Sequence, residues 1–377
     1  MTLFSDLRRP DPTPWLLASD EPQARWVTLA YLGEMQPGDA ESGGPAVTDR
    51  AAALAEAHAA VLGDAATRSL LDRIPDWNMP VDLSGHNRPE LATNLLDLLA
   101  DIGLTEDDDP RIAHLIGQML SHADADGRFI VFAVQRGGPV VWGCLPCDTH
   151  AIADVALRFG HVDDPRVRRA LAAAESDLAE TDMGPAWLCR PDAITGFRGP
   201  GRKTEPCPQT TLEALRAFSW LPDAERPAWL SGVVHTVLEI WRQRGERRPY
   251  MMGHGRQFKT VKWPPTWYGA YEVVDVLGRL PDTWRDVPED RRSLAEIAAC
   301  LLEYNVAADG RVTPLSAFQS FDELSVTNKK QPSPLATALV WSRLAPLAEM
   351  APEIAAVDVM TLGSSKGGTG TPMPPKV

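Results

Sequence analysis

The chain has little cysteine, a deficit of basic charge and no long apolar run, and each shortage removes a class of protein. Five cysteines in 377 residues, at positions 144, 147, 189, 207 and 300, are too few and too odd in number for a disulfide framework. They read as reduced thiols, either buried or metal-bound. Lysine and arginine total 37 against 51 acidic residues, a formal net charge of −14. A nucleic-acid binder needs a basic face, so a phosphate backbone is excluded as the general partner. No segment reaches the roughly 18 uninterrupted apolar residues of a membrane span. The opening stretch MTLFSDLRRPDPTPW carries no apolar core behind its charges, as a signal peptide would. A soluble, cytoplasmic protein is expected.

Punctuation, by contrast, is abundant. Thirty-three prolines and 28 glycines, in a chain whose periodic segments look helical, fit many short helices each ended by a turn. Residues 49–73 have strong helix propensity, and PGDAESGGP (37–45) reads as a break. From about residue 90 the chain repeats itself. Apolar helices start near 95, 152, 212, 271 and 335, at separations of 57, 60, 59 and 64 residues. Each is followed by an acidic turn and a second helix. In the two DDPR turns, Asp suits the N-cap and Pro the first helical position. A helical hairpin of this kind cannot bury its own apolar face, so neighbours must stack.

The first helices of the hairpins are apolar nearly all round, as an inner layer covered on both sides would be. The second helices carry more charge, as an outer layer would. With residues 26–73 as a degenerate first pair, about six hairpins are present, enough to close a ring. The expected fold is all-α: one α/α toroid over residues 1–362 with a period near 60 residues. The Gly/Pro-rich stretch 363–377 is expected to be a disordered tail. Its GSSKGGTG string lacks the Lys-Ser/Thr ending and the flanking strand and helix of a phosphate loop.

This pattern resembles the prenyltransferase and squalene-oxidase repeat family, which includes terpenoid cyclases and the β-subunits of protein prenyltransferases. The resemblance is carried by Asp126-Gly127-Arg128 and Asp309-Gly310-Arg311, by the DDPR turns, and by KWPPTWYGAYEVVDVLGRL (262–280). It covers about residues 90–347 and implies the toroid, with an isoprenoid or other apolar substrate in a central cavity. Two family motifs are missing. The nearest strings to the Asp-x-Asp-Asp acid of class II cyclases are Glu106-Asp107-Asp108-Asp109 and Asp124-Ala125-Asp126, and both fall in turns. The Asp-x-Cys pair and later His that hold zinc in protein prenyltransferases do not occur in that order.

Register supplies the candidate site. Cys147 lies five residues before Ile152, and Cys207 five before Leu212, so both thiols occupy one rim of neighbouring repeats. Cys189 enters the loop between them, and His254 follows in MMGHGRQF. Cys189, Cys207 and His254, with Cys147, Asp148 or His150 as a fourth group, are candidate ligands of zinc. Asp148, His150 and His254 are the candidate catalytic groups there, with zinc holding a thiolate nucleophile or acting as a Lewis acid. The alternative is that small thiols fill tight helix contacts, as Cys300 is expected to do. Arg256, Lys259 and Lys262 are candidates for holding a diphosphate, or form an ordinary solvated loop. Trp187, Trp267 and Tyr268, with Trp220, Trp263 and Tyr271, are candidates for lining an apolar cavity, or are plain core. Two functions remain open. An enzyme of the cyclase or prenyltransferase type needs a deep apolar cavity with polar groups at one rim. A non-catalytic toroid recognising a peptide or protein partner needs only a filled centre.

Overall fold

The expected hairpin turns become helix starts for local reasons. In the structure, a computed structural model that describes residues 3–33, 47–82, 88–134, 140–194, 196–199, 201–247, 255–266 and 268–362, Asp109 and Asp164 are N-caps in extended backbone. They accept hydrogen bonds from the main-chain N–H of Arg111 (2.9 Å) and Arg166 (2.8 Å). Pro110 and Pro165 follow at the first helical turn, where a missing N–H costs nothing. The acidic neighbours are spent locally too. Asp108 accepts from the Thr105 N–H at 2.7 Å, and Glu106 meets His161 at 2.6 Å. Asp124 accepts from the N–H groups of Asp126 and Arg128. Both aspartate-rich strings are therefore turn and cap devices. Replacing Asp164 by Ala should cost about 1 kcal/mol, read as a lower urea midpoint at unchanged m-value; an unmoved midpoint would show that water replaces the cap without loss.

Of the described residues, 57% are helical and 7% lie in strands. Helices α1 (Leu3–Asp6), α2 (Thr13–Leu17), α3 (Pro22–Tyr31), α4 (Val47–Gly63) and α5 (Ala65–Leu71) precede the hairpins. Then come α6 (Ala92–Asp101) with α7 (Pro110–Ser121), α8 (Pro146–Arg158) with α9 (Pro165–Ser176), and α10 (Pro208–Ser219) with α11 (Leu230–Arg242). After the short α12 (Gly255–Lys259) follow α13 (Ala270–Gly278) with α14 (Pro288–Asn305), and α15 (Pro334–Leu344) with α16 (Ala351–Ala356).

The first helices pack on one another in sequence: α6 on α8, α8 on α10, α10 on α13, α13 on α15, and α15 on α3. They are covered on nearly every side. Every residue of α15 from Leu335 to Leu344 is buried. Among the second helices, α9 buries mainly one face, Val167, Ala170, Leu171, Ala173 and Ala174, as a surface helix does, while α14 is buried over most of the run from Ser293 to Leu302. Helix α3 also meets the end of α6. Gly103, just past α6, adopts φ +97°, and a Cβ there would lie 2.3 Å from the Trp26 ring of α3. Only glycine accepts both that backbone and that approach.

Short strands occupy the connections leading into the first helices. They are β1 (Val81–Asp82), β2 (Val131–Val134), β3 (Val141–Gly143), β4 (Ala179–Thr181), β5 (Gly184–Ala186), β6 (Lys262–Trp263) and β7 (Ser316–Ala317). In the three-stranded sheet β1 runs parallel to β2, and β3 antiparallel, with Val131 opposite Gly143. Strand β4 pairs antiparallel with β5, and β6 parallel with β7. Among the described residues no helix is long and apolar enough to cross a membrane. The expected tail, 363–377, and the 37–45 break lie outside the described residues.

Candidate functional site

Four of the first helices turn charged side chains toward one another. Asp97 and Asp101 of α6, Asp154 and Arg158 of α8, Glu213 and Arg216 of α10, and Glu272 and Asp275 of α13 line a single cavity. Arg279 just past α13 and Arg343 of α15 complete its wall, and Pro264, Pro265, Thr266 and Tyr268 line it from the segment before α13. Spacings of three and four residues put each helix's contribution on one face. Arg343 spans the cavity, meeting Asp101 at 2.5 Å through Nη2 and Asp275 at 2.9 Å through Nε. Arg158 pairs with Asp101 and, at 3.3 Å, with Asp97. Arg216 lies 3.1 Å from Asp97 and 3.7 Å from Asp154. Arg279 donates to Asp275 at 2.7 Å and to Ser219 at 2.9 Å. The Trp220 indole donates to Asp154 at 2.7 Å. Its ring also meets the guanidinium groups of Arg158 and Arg279, at 5.6 and 4.4 Å, a favourable contact for both cations.

These carboxyls divide into two kinds. Burial opposes ionisation of Asp101 and Asp275, but flanking guanidinium groups outweigh it and hold both below the usual carboxylate range. For Asp101 they belong to Arg343 and Arg158, and for Asp275 to Arg279, Arg343 and Arg216. Asp154 and Glu272 go the other way. Burial pushes each up to about 7, with Asp97 adding to the rise at Asp154 and Arg216 opposing it at Glu272. Burial likewise pushes Glu213 well above its ordinary value. The wall also holds six buried polar atoms without a hydrogen-bond partner: Gln209 Oε1, Glu213 Oε2, Arg216 Nε, the Tyr271 hydroxyl, Arg279 Nη2, and Arg343 Nε, which meets Asp275 as an ion pair only. Buried polar groups are rarely left so.

Of the candidate thiols, Cys189 and Cys207 come together beside Gly201. Cys207 is the N-cap of α10 and Cys147 the second residue of α8. A Cβ at Gly201 would lie 3.2 Å from the Cys189 Sγ and 3.4 Å from the Cys207 Sγ, so the two sulfurs flank one point. The Cys207 thiol, the N–H groups of Gly201 and Gly199 and the charge of Arg198 pull Cys189 down to about 6 against its partial burial. Loss of solvent around Cys147, reinforced by the nearby Asp148, pushes its thiol well above its usual value. Burial pushes Cys144 up to about 12, and Cys300 is core in α14. Two neighbouring sulfurs are half of a zinc site. Among the described residues no group of three or more His, Cys, Asp or Glu is placed to hold a metal ion, so no step is routed through zinc.

The remaining candidates scatter. Asp148 accepts from the Leu145 N–H at 3.0 Å and caps its own helix. His150 is buried, which lowers it to about 4, and its Nδ1 lies 3.0 Å from the Thr210 carbonyl. The neutral ring thus ties α8 to α10. Trp187 is fully buried, donating to the Ala174 carbonyl at 2.7 Å and packing on Phe218 and Trp229. It is core. Tyr268 does line the cavity, whereas Arg256, Lys259 and Lys262 do not. Arg256 is exposed, Lys259 lies 5.1 Å over the Tyr304 ring, and Lys262 lies 3.5 Å over Phe318. His254 and Trp267 lie outside the described residues.

What the sequence reading passed over is the cavity wall itself. Its signal was present as solitary charges inside otherwise apolar helices: Asp97 in ATNLLDLLAD, Asp154 and Arg158 in IADVALR, Asp275 and Arg279 in VVDVLGR. No protein-family model, curated protein or solved structure matches the chain.

Proposed function

We propose that the chain is one α/α toroid whose central cavity binds a small anionic metabolite and exchanges a proton with it. The ring is supported by the sequential packing of α6, α8, α10, α13, α15 and α3 and by the Trp26–Gly103 approach that returns α3 to α6. The observation that carries ligand binding is the six polar atoms without a hydrogen bond gathered in one wall, since such groups mark a place for water or ligand.

Charge narrows the ligand. With Asp154, Glu213 and Glu272 protonated, four arginines face the three carboxylates Asp97, Asp101 and Asp275, a surplus of one positive charge. A carboxylate or phosphate answers that surplus through the guanidinium groups. An isoprenoid chain, which the resemblance implies, would desolvate these ions without pairing them, so a polar ligand replaces the apolar one. Asp154 and Glu272, near 7, are the groups poised to give or take a proton at neutral pH. Arg216 and Arg279 hold the anion. The filled-centre alternative, a toroid that recognises a protein partner, has no use for unpaired atoms in its middle.

Calorimetric titration with inorganic phosphate and with succinate tests this. As Asp154 and Glu272 lose their protons, the surplus of one positive charge becomes a deficit of one. Affinity should therefore fall on the order of tenfold or more between about pH 6 and pH 8. Tyr271→Phe should leave the unliganded protein as stable as wild type, because the lost hydroxyl has no partner. It should weaken the anion by about threefold to tenfold. No binding of either anion, or binding indifferent to pH, would overturn the proposal.

A further inference from the structure

We infer that Cys189 and Cys207 form a reactive dithiol, in which Cys189 is the nucleophile toward a hydroperoxide and Cys207 resolves the product into a disulfide. The pairing comes from the backbone. Leu188 bridges Pro206 in antiparallel fashion, and the Cys207 N–H donates to the Trp187 carbonyl at 2.8 Å. Side chains alternate across such a ladder, so residues 189 and 207 fall on one face as diagonal neighbours. Both sulfurs lie against Gly201, within 3.2 and 3.4 Å of where its Cβ would stand.

The two sulfurs are not equivalent. Cys189 is partly exposed, whereas Cys207 is buried. The main chain closes on Cys189 at glycine. A Cβ at Gly201 would lie 2.6 Å from Cys189 Cβ and 3.4 Å from Cys207 Sγ, and one at Gly199 would lie 3.2 Å from Cys189 Sγ. Because both residues lack a side chain, their N–H groups reach the Cys189 sulfur, and the cation of Arg198 lies nearby. Such donors stabilise a thiolate, the form that attacks. Cys207 is held by the Thr210 hydroxyl at 3.3 Å, behind Cys189 and away from solvent. An exposed thiolate with a resolving thiol beside it is the arrangement of a redox-active pair.

The steps balance. The Cys189 thiolate attacks the outer peroxide oxygen; an S–O bond forms, the O–O bond breaks, and the leaving oxygen takes a proton to depart as alcohol or water. Cys189 is then a sulfenic acid. The Cys207 sulfur attacks it, an S–S bond forms, and hydroxide leaves with the proton of Cys207 as water. Two thiols lose two electrons to one peroxide.

The test uses the full chain, reduced and then freed of reductant, with equimolar hydrogen peroxide. Thiols titrated after denaturation should fall from five, the number in the chain, by the two that are joined. Peptide mapping should find one intramolecular bridge, between the peptides carrying Cys189 and Cys207. Cys207→Ser should stop at a sulfenic acid that dimedone traps on Cys189, and Cys189→Ser should react with neither reagent. The wild-type map stands even if a variant folds poorly. A thiol count that stays at five, a bridge to Cys147 instead, or a tightly bound zinc that shields both sulfurs from peroxide would each overturn the assignment.

Discussion

Exchanging Asp275 for Asn is expected to cost about 3–5 kcal/mol of stability, the usual penalty for removing one partner from a buried ion network. Asp275 takes the Arg279 guanidinium at 2.7 Å and Arg343 at 2.9 Å, and Arg216 adds its field. An amide cannot balance that charge. Arg343 would keep Asp101, and Arg279 would keep Ser219, so the protein should still fold but melt much earlier. The second substitution Arg343→Met, made together with Asp275→Asn, removes one stranded cation and should return part of the loss. Urea denaturation of wild type, single and double variants measures both. A single-variant loss under about 1 kcal/mol would mean that water already screens the network as it does at a surface.

That network also explains which features the sequence disclosed. Caps and turns were legible because their chemistry is local: Asp164 needs only the N–H of Arg166, two residues on. The period was legible because each hairpin repeats the same capping and burial problem. Register placed Cys207 at the start of α10 as it placed Cys147 at the start of α8, whereas the approach of Cys189 to Cys207 depends on the path of the loop before α10. The cavity was harder to see. Two acids in a largely apolar helix barely alter its average character, and Asp97, Asp154 and Asp275 become a site only when three helices face one point. The orientation of the basic segment was not legible at all. Whether Lys259 and Lys262 turn to the cavity or to the rings of Tyr304 and Phe318 depends on where α14 and the segment before α15 lie, which no local pattern records. Trp187 misled for a related reason: a large aromatic ring suits a cavity wall and a core equally, and only its full burial decides.

The same cavity should give the protein an unusual response to pH. Asp154 is raised in the folded state from 3.8 to about 7, so between those values the folded chain holds a proton that the unfolded chain has released. Stability from this group is complete below about pH 4 and is lost as pH rises through 7. Glu272, also raised to about 7, and Glu213, raised by burial, act in the same direction, while a second set of groups acts in the opposite one. Asp101 and Asp275, held low, favour the folded state above their unfolded values, and His150, lowered to about 4, favours it above 6.5. The net curve therefore mixes both signs. The variant Asp154→Asn isolates one of them, because its amide oxygen still accepts from the Trp220 indole while the proton to be lost is gone. The difference in stability between Asp154→Asn and wild type should grow in the variant's favour as pH rises from about 4 to 7. The slope should be on the order of 1.4 kcal/mol per pH unit at most, and the difference should be flat above pH 8. Urea titrations at matched pH values read that difference directly, with the background groups cancelling. Parallel curves for the two proteins would mean that Asp154 ionises normally in the cavity, and the proton-exchange role proposed for it would fall.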